Sequence, residues 1–218
     1  MQTIKKILKK LTGYHQVQTQ FKGTNNMFSG INDCAFQNCI LNGKGNNNQI
    51  RFSPGSNFSN VTVYILGSDN VITIGKRVHI KQGTEIWITG NNCKVEIGND
   101  SIFYQMHLAC AESNTQIQIG NECLFAYNID VRTGDSHPIF NKNSTERINK
   151  GEDVKIGNHC WIASHVSILK GATIPDDCIV GTRSVVTRKF DQPNTLIVGV
   201  PASVRKQNIE WKDIDITK

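Results

Sequence analysis

A six-residue repeat in residues 156–191 constrains the fold of this chain more than any other feature. The first position of each block is Ile or Val: Ile156, Ile162, Ile168, Ile174, Val180 and Val186. The fifth position is small until Phe190: Cys160, Val166, Ala172, Cys178 and Ser184. An α-helix has no reason to repeat every six residues. A stacked coil with flat faces does, since the branched residue points inward and the small one fits the bend. The repeat therefore predicts a parallel β-helix.

A looser period precedes this one in residues 21–120. Short pieces that alternate and contain β-branched residues recur, and they end at Phe52, Ile74, Ile97 and Ile119. The spacings between these four residues are 22, 23 and 22. Three six-residue faces account for eighteen residues, so each early coil is predicted to carry a few extra residues in its turns. Asparagines and glycines ahead of the pieces suit such turns.

An interruption separates the two periods. Val131 and Ile156 are 25 residues apart, which is not a multiple of six, so residues 134–153 are predicted to leave the coil as a loop. A long polar loop on a rigid repeat is more often functional than decorative. We therefore divide the chain into an N-terminal amphipathic helix and linker (1–20), a β-helix (21–200) and a C-terminal segment (201–218). Within that segment, residues 202–218 are predicted to form a short helix with a mixed-charge tail.

Composition narrows the class of protein. With 38% hydrophobic and 19% charged residues, the chain has the make-up of an ordinary soluble domain. The net charge of +6 suits an anionic ligand but is not the dense basic patch of a nucleic-acid binder. Seven cysteines without a CxxC motif indicate buried free thiols, and no apolar run is long enough for a membrane span. We expect a cytoplasmic protein.

The N-terminal residues 1–12 place Ile4, Ile7, Leu8 and Leu11 on one helix face and four lysines on the other. A basic amphipathic helix can lie on an acidic membrane surface. Packing of its apolar face on the β-domain or a neighbouring subunit is the alternative, and eleven residues bury little. Peripheral membrane contact through this helix stays open.

Four features together carry a family resemblance. They are the hexapeptide blocks, the Ser136-His137-Pro138 motif, Trp161 placed 24 residues after His137, and the closing Gly199-Val200-Pro201-Ala202. In these the chain resembles the left-handed β-helix acetyltransferases, above all the galactoside and maltose enzymes and the O-acetyltransferases of sialic acid, capsule and O-antigen. The resemblance runs from about Ile97 to Lys206. It implies a left-handed coil, which periodicity alone does not give, since most β-crossovers are right-handed.

The resemblance also implies a reaction. A homotrimer would transfer acetyl from acetyl-CoA, without a metal, to a hydroxyl on a sugar of a bacterial surface glycan. His137 would be the general base, because imidazole can take a proton from the attacking hydroxyl and pass it to the leaving thiolate. Trp161 would bond the substrate or the developing oxyanion through its indole N–H. Asp135 is a candidate to orient His137, although residues two apart on an extended chain point oppositely.

The family motif also implies residues that bind the cofactor and the acceptor, but it specifies them less closely than His137. Residues that match positions of cofactor contact are Ser164, Thr182, Thr187, Arg188, Arg205 and Lys206, with Arg183 as an alternative phosphate ligand. The family usually has Ala at the place of Thr182. Candidate acceptor contacts on coils before the loop are Tyr104, Gln105, Tyr127 and Asn128.

Three other functions are alternatives to this reading of the sequence. N-acetylation of an amino sugar would use the same base and cofactor. A zinc enzyme of the gamma-class carbonic anhydrase type would need three histidines; His159 and His165, six apart, are interpreted as stacked on successive coils, with His79 or His107 as a third ligand of unsuitable spacing. A β-helix used only for binding would have no use for a His-Pro loop.

Overall fold

The computed structural model describes residues 17–214, so the predicted helix of residues 1–12 lies outside the described part. Within the described part, regular structure is all β apart from one 3-10 turn, Ile31–Asp33. This part of the chain contains no helix that could cross a membrane. The all-β class and the parallel β-helix expected from the hexapeptides are confirmed.

The strands are short and evenly spaced along the chain. Those before the loop are β1 (Val17–Lys22), β2 (Met27–Ser29), β3 (Ala35–Gln37), β4 (Cys39–Lys44), β5 (Gln49–Phe52), β6 (Asn57–Ser59), β7 (Val61–Leu66), β8 (Val71–Ile74), β9 (His79–Ile80), β10 (Thr84–Ile88), β11 (Lys94–Ile97), β12 (Ile102–Phe103), β13 (Met106–Cys110), β14 (Gln116–Ile119), β15 (Leu124–Phe125) and β16 (Ile129–Arg132). Those after it are β17 (Val154–Ile156), β18 (Trp161–Ile162), β19 (Ser167–Ile168), β20 (Thr173–Ile174), β21 (Ile179–Val180), β22 (Val185–Val186), β23 (Leu196–Gly199) and β24 (Ala202–Lys206).

These strands form the three faces of a prism. Face A contains β1, β4, β7, β10, β13, β16, β19 and β22; face B contains β2, β5, β8, β11, β14, β17 and β20. Face C contains β3, β6, β9, β12, β15, β18, β21, β23 and β24. The chain runs from face A to B to C and back in each coil, and all pairs except β23–β24 are parallel. Each coil therefore hydrogen-bonds to the coils before and after it.

The register between coils explains both sequence periods. Glu85 pairs with Thr62 and with His107, offsets of 23 and 22 residues. Ser167 pairs with Val185, an offset of 18, as three six-residue faces require. Across the loop, Asp130 pairs with Ser167, an offset of 37, so 19 residues beyond a coil of 18 are held outside the prism. The loop thus adds length without changing the register.

The inward and outward sides of the coil follow the hexapeptide pattern. Every first-position Ile or Val between Ile156 and Val186 is buried, and so are the small fifth-position residues Cys160, Val166, Ala172, Cys178 and Ser184. Burial of one such aliphatic side chain contributes about 1.5–3 kcal/mol. All seven cysteines are buried free thiols, as expected.

Corners of the prism are turned by residues in the left-handed backbone region. Asn and Asp adopt this region more readily than other non-glycine residues. The A–B corner uses Asn25, Asn47, Asp69, Asn92 and Asn114; the B–C corner uses Arg77, Asp100, Glu122, His159 and Asp177; the C–A corner uses Asn38, Asn60, Asn128, His165 and Arg183.

The chain ends in a strand where a helix was predicted. The predicted C-terminal helix is wrong over residues 202–214, since β24 pairs antiparallel with β23 and residues 207–214 continue without a helix. The open edge of face C offers unpaired backbone groups to the segment that follows Pro201, and pairing them outweighs the weak helical pattern.

An asparagine ladder inside the A–B corner gives a test of the stacking. Asn48 is fully buried; its amide Nδ2 donates to Asn26 Oδ1 and the Gly67 carbonyl, and its Oδ1 accepts from Asn70. Asn48→Ala strands the Gly67 carbonyl and the Asn70 N–H, so we expect a loss of roughly 3 kcal/mol in the free energy of unfolding, measured from the denaturant midpoint. Exposed Asn57→Ala is the control. An equal loss in both variants would contradict the ladder's role.

Candidate active site

The 134–153 loop leaves the prism at the A–B corner and is clamped there from two coils. Arg147 donates from Nη1 and Nη2 to the two carboxylate oxygens of Glu112, at 2.8 and 2.7 Å, on the preceding coil. On the following coil, the ammonium group of Lys170 binds the Asp135 carboxylate. The base of the loop is therefore fixed to the rigid coil on both sides.

Asn149 organises the inside of the loop. Its side chain is nearly buried, and its Nδ2 donates to Asp135 Oδ2 at 2.9 Å and to the His137 carbonyl at 2.8 Å. Its Oδ1 accepts from the Ile139 N–H at 2.6 Å and from Arg147 Nε at 3.1 Å. One amide thus holds both ends of the Ser136-His137-Pro138 turn. Asn149, Arg147 and Lys170 were not predicted as site residues, since in the sequence only the long polar loop pointed to them.

His137 is exposed at the start of the loop, in a turn where Ser136 has a positive φ of 65°. Its backbone N–H donates to the Asp135 carbonyl at 2.8 Å. The Asp135 carboxylate binds Lys170 and Asn149, and in the described part of the chain it makes no hydrogen bond to the His137 ring. Asp135 is therefore connected to His137 through Asn149 and the backbone, and the candidate direct contact between its carboxylate and the His137 ring is not made.

The charges of the clamp are complementary at neutral pH. The hydrogen bond from Lys170, helped by that from Asn149, lowers the pKa of Asp135. Burial alone would raise the pKa of Glu112, but hydrogen bonds from Arg147 and the Gly151 backbone lower it on balance. Both carboxylates are accordingly ionised when the loop is clamped.

Trp161 lies on a different side of the prism from this loop. It is the first residue of β18 on face C, is 37% exposed, and packs 6.1 Å from the ring of Trp211. Trp211, from the C-terminal segment, stacks on His159 at 4.5 Å and donates from Nε1 to the His159 carbonyl. Because face C is opposite the A–B corner, one chain does not bring His137 and Trp161 together.

The predicted cofactor residues divide into three groups. Ser164, Thr182 and Arg183 stack at the C–A corner, where Thr182 Oγ1 donates to the Ser164 carbonyl at 2.8 Å. Thr187 and Arg188 follow β22 toward the A–B corner, and the Arg188 guanidinium lies 5.1 Å from the Phe190 ring. Arg205 and Lys206 are exposed in β24 on face C. The first group alone forms a continuous row.

The predicted acceptor residues extend that row. Tyr104 and Tyr127 pack at 5.0 Å on the C–A corner, and Lys81 Nζ donates to the Tyr104 hydroxyl at 3.1 Å. Gln105 and Asn128 line a cavity of about 290 Å³ that opens from this corner onto face A. The acceptor candidates and three cofactor candidates thus share one edge of the prism.

The histidines of the metal alternative do not meet. His159 and His165 lie on one coil, at the B–C and C–A corners, because six residues span one face and stacked residues here are 18 apart. The interpretation that they stack was wrong. His159 Nδ1 instead contacts Asp177 at 2.8 Å, and residues 17–214 contain no group of three or more His, Cys, Asp or Glu side chains placed to hold a metal.

Comparison with known proteins shows which proteins share this sequence and fold. Residues 153–188 match the family described as bacterial transferase hexapeptide (six repeats). A polysialic acid O-acetyltransferase of Neisseria meningitidis is 34% identical over 77% of this chain and 87% of its own length. The solved structure of the polysialic acid O-acetyltransferase OatWY superposes with a TM-score of 0.83 at 28% identity, covering 94% of this chain and 95% of that one. The polySia-specific acetyltransferase NeuO gives 0.80 at 27%, covering 92% and 90%.

The Lys170–Asp135 contact predicts a pH dependence of the loop. Because the pKa of Asp135 is lowered, the contact is fully present above the ordinary carboxyl pKa of about 4 and is lost as the pH falls through the lowered value. In Lys170→Met, we expect faster hydrogen–deuterium exchange of residues 134–153 at pH 7, and a difference from the parent that closes in acid. Lys142→Met, an exposed change in the same loop, is the control. A difference that persists in acid, or none at pH 7, would contradict the clamp.

Proposed function

The chain belongs to the hexapeptide-repeat O-acetyltransferases, the family of the polysialic acid O-acetyltransferases, and we propose that it transfers acetyl from acetyl-CoA to a sugar hydroxyl. The observation that carries the proposal is the 34% identity over most of the chain to an enzyme of that name. The clamped loop that presents His137 supports it, because a general base must be held in place while its imidazole stays accessible.

We propose direct transfer, without an acyl-enzyme. The His137 imidazole takes the proton of the acceptor hydroxyl as its oxygen attacks the thioester carbonyl carbon. The C–S bond then breaks, and the imidazolium returns the proton to the leaving thiolate, giving an O-acetyl ester and free CoA. The Trp161 indole N–H would donate to the oxyanion that develops on the carbonyl oxygen.

The identity of the acceptor is inferred from the relatives, which are named as polysialic acid O-acetyltransferases. We infer a sialic acid unit of a bacterial surface glycan, contacted at the C–A corner by the row of Tyr104, Gln105, Tyr127 and Asn128. Ser164, Thr182 and Arg183 continue this row and suit the CoA arm, and the outlying Thr187, Arg188, Arg205 and Lys206 suit its phosphates. N-acetylation of an amino sugar remains the second candidate, since the base and cofactor would be the same.

A homotrimer is part of the proposal. His137 and Trp161 lie on different sides of one prism, so a complete site needs two copies of the chain. The loop supports this assembly because it exposes Ile139, Phe140 and Ile148, which a neighbouring subunit would cover.

We also place the enzyme in the cytoplasm, where acetyl-CoA is available. Seven buried free thiols suit a reducing compartment. The basic residues 1–12 would hold it near membrane-bound glycan precursors, which their deletion and cell fractionation would test.

Loss of the base tests the chemistry. We expect His137→Ala to lower kcat by about 10²–10⁴-fold, measured as thiol release from acetyl-CoA with sialic acids, polysialic acid, uronic acids and amino sugars as acceptors. His79→Ala, which removes a histidine on β9 that is remote from both the loop and Trp161, is the control. Equal rates for His137→Ala and the parent would refute the mechanism, and turnover only with amino sugars would establish N-acetylation.

Mixed assemblies test the shared site. His137→Ala and Trp161→Ala chains, each inactive alone, are co-expressed in equal amounts and purified as trimers through two different tags. If one chain supplies His137 and its neighbour Trp161, every mixed trimer contains one complete site out of three, so about one third of parental activity should return. Mixed trimers without activity would show that both side chains serve from one chain.

A further inference from the structure

Face A carries a groove that the predicted acceptor residues reach only at one end. Two cavities, of about 290 and 560 Å³, lie side by side on it and share Glu85 and His107 in their walls. The smaller begins at Gln105 and Asn128 on the C–A corner; the larger ends at Ser136, next to His137. The groove therefore crosses the whole face and connects the acceptor corner with the catalytic loop of the same chain.

The pairing of strands β10, β13 and β16 determines which side chains line the larger cavity. Trp87, Ala109 and Arg132 are paired neighbours on β10, β13 and β16, and all three line the cavity. Trp87 is 40% exposed, and Tyr64 packs against its far side at 5.3 Å. Two strand spacings, about 10 Å, separate the backbones of Trp87 and Arg132, and the small, buried Ala109 lies between them in the wall of the cavity. The cavity volume of about 560 Å³ has room for a sugar ring.

The second row of the groove supplies fixed polar groups. Glu85, His107 and Asp130 are paired neighbours on the same three strands. Asp130 accepts from Arg132 at 2.7 and 2.8 Å and contacts His107 Nδ1 at 3.0 Å. Burial alone would raise the pKa of Asp130, but these two partners lower it on balance, so the carboxylate is charged at neutral pH. The row is held in place before any ligand arrives.

We propose that this groove, with Trp87 as its stacking surface and Glu85 and Asp130 as hydroxyl acceptors, binds the acceptor sugar and leads it to His137. The inference rests on the proposed function and extends the acceptor site from the C–A corner across face A to the loop. Trp87 presents an aromatic face to the apolar C–H side of a ring. Carboxylates accept hydrogen bonds from hydroxyls, and the exposed Glu85 carboxylate makes no hydrogen bond within residues 17–214.

Charge decides which part of an acidic sugar fits here. Glu85 and Asp130 carry two negative charges, against one positive charge on Arg132, whose Nε and Nη2 already bind Asp130. A sugar carboxylate would meet like charge in this groove and be disfavoured. The hydroxyl-bearing end of the acceptor therefore lies against face A, and the acidic end points outward. This orientation presents a hydroxyl, and not the carboxylate, to the loop.

Steady-state kinetics with polysialic acid as the acceptor test the groove. We expect Trp87→Ala and Glu85→Ala each to raise the KM for the glycan about tenfold, because each change removes one group that holds the sugar. The KM for acetyl-CoA should stay unchanged. Ile40→Ala, on the same face but outside the groove, is the matched control with parental values. Trimer mass by light scattering and thermal unfolding are recorded for each variant.

The outcomes separate the two proposals. A parent enzyme without acetyl transfer to any glycan would refute the proposed function and this inference with it. An active parent with unchanged glycan KM in both variants would overturn the inference alone. A lower glycan KM in Glu85→Ala would overturn the orientation, because it would show a carboxylate bound beside Glu85. Loss of the trimer in Trp87→Ala would also overturn the inference, by making Trp87 a subunit contact.

Discussion

The register between coils is the constraint on which the whole molecule depends. Each residue must return to a position above its counterpart so that parallel backbone hydrogen bonds form between successive coils. Early coils need 22 or 23 residues and late coils 18, and both close on the same three faces. The 134–153 segment obeys the same rule, because it leaves and rejoins the prism at one corner and shifts no later strand.

This constraint also decides where chemistry can be placed. Inward positions are filled by the core, so functional side chains fall on outward rows, corners and the loop. Residues far apart in the sequence then become neighbours, as when Glu112 and Lys170 hold the loop from the coils before and after it. A corner and the face opposite to it cannot meet within one prism. A site that needs both His137 and Trp161 is therefore divided between chains.

Much of the fold could be predicted from the sequence because a six-residue period has one simple structural meaning. The same counting located the loop, and motif resemblance singled out His137. Contacts between coils were harder to predict, because the prediction requires the length of each coil and the side of the prism on which each residue lies. For this reason the role of Asn149 was not predicted. For the same reason His159 and His165 were predicted to stack on successive coils, whereas they occupy two corners of one coil. The terminal strand β24 was missed because its pairing with the open edge of face C and the packing of Ala202 and Val204 on the core depend on contacts that the local sequence does not show.

The reversed direction of β24 bears on how the protein behaves at high concentration. A parallel prism has no intrinsic last coil, and its exposed end is a template on which another prism can add, end to end, into a filament. A short antiparallel strand with Arg205 and Lys206 at its exposed end breaks that template and adds charge. On face C, β24 therefore hinders the end-to-end addition of a second prism, a hazard that comes with the architecture.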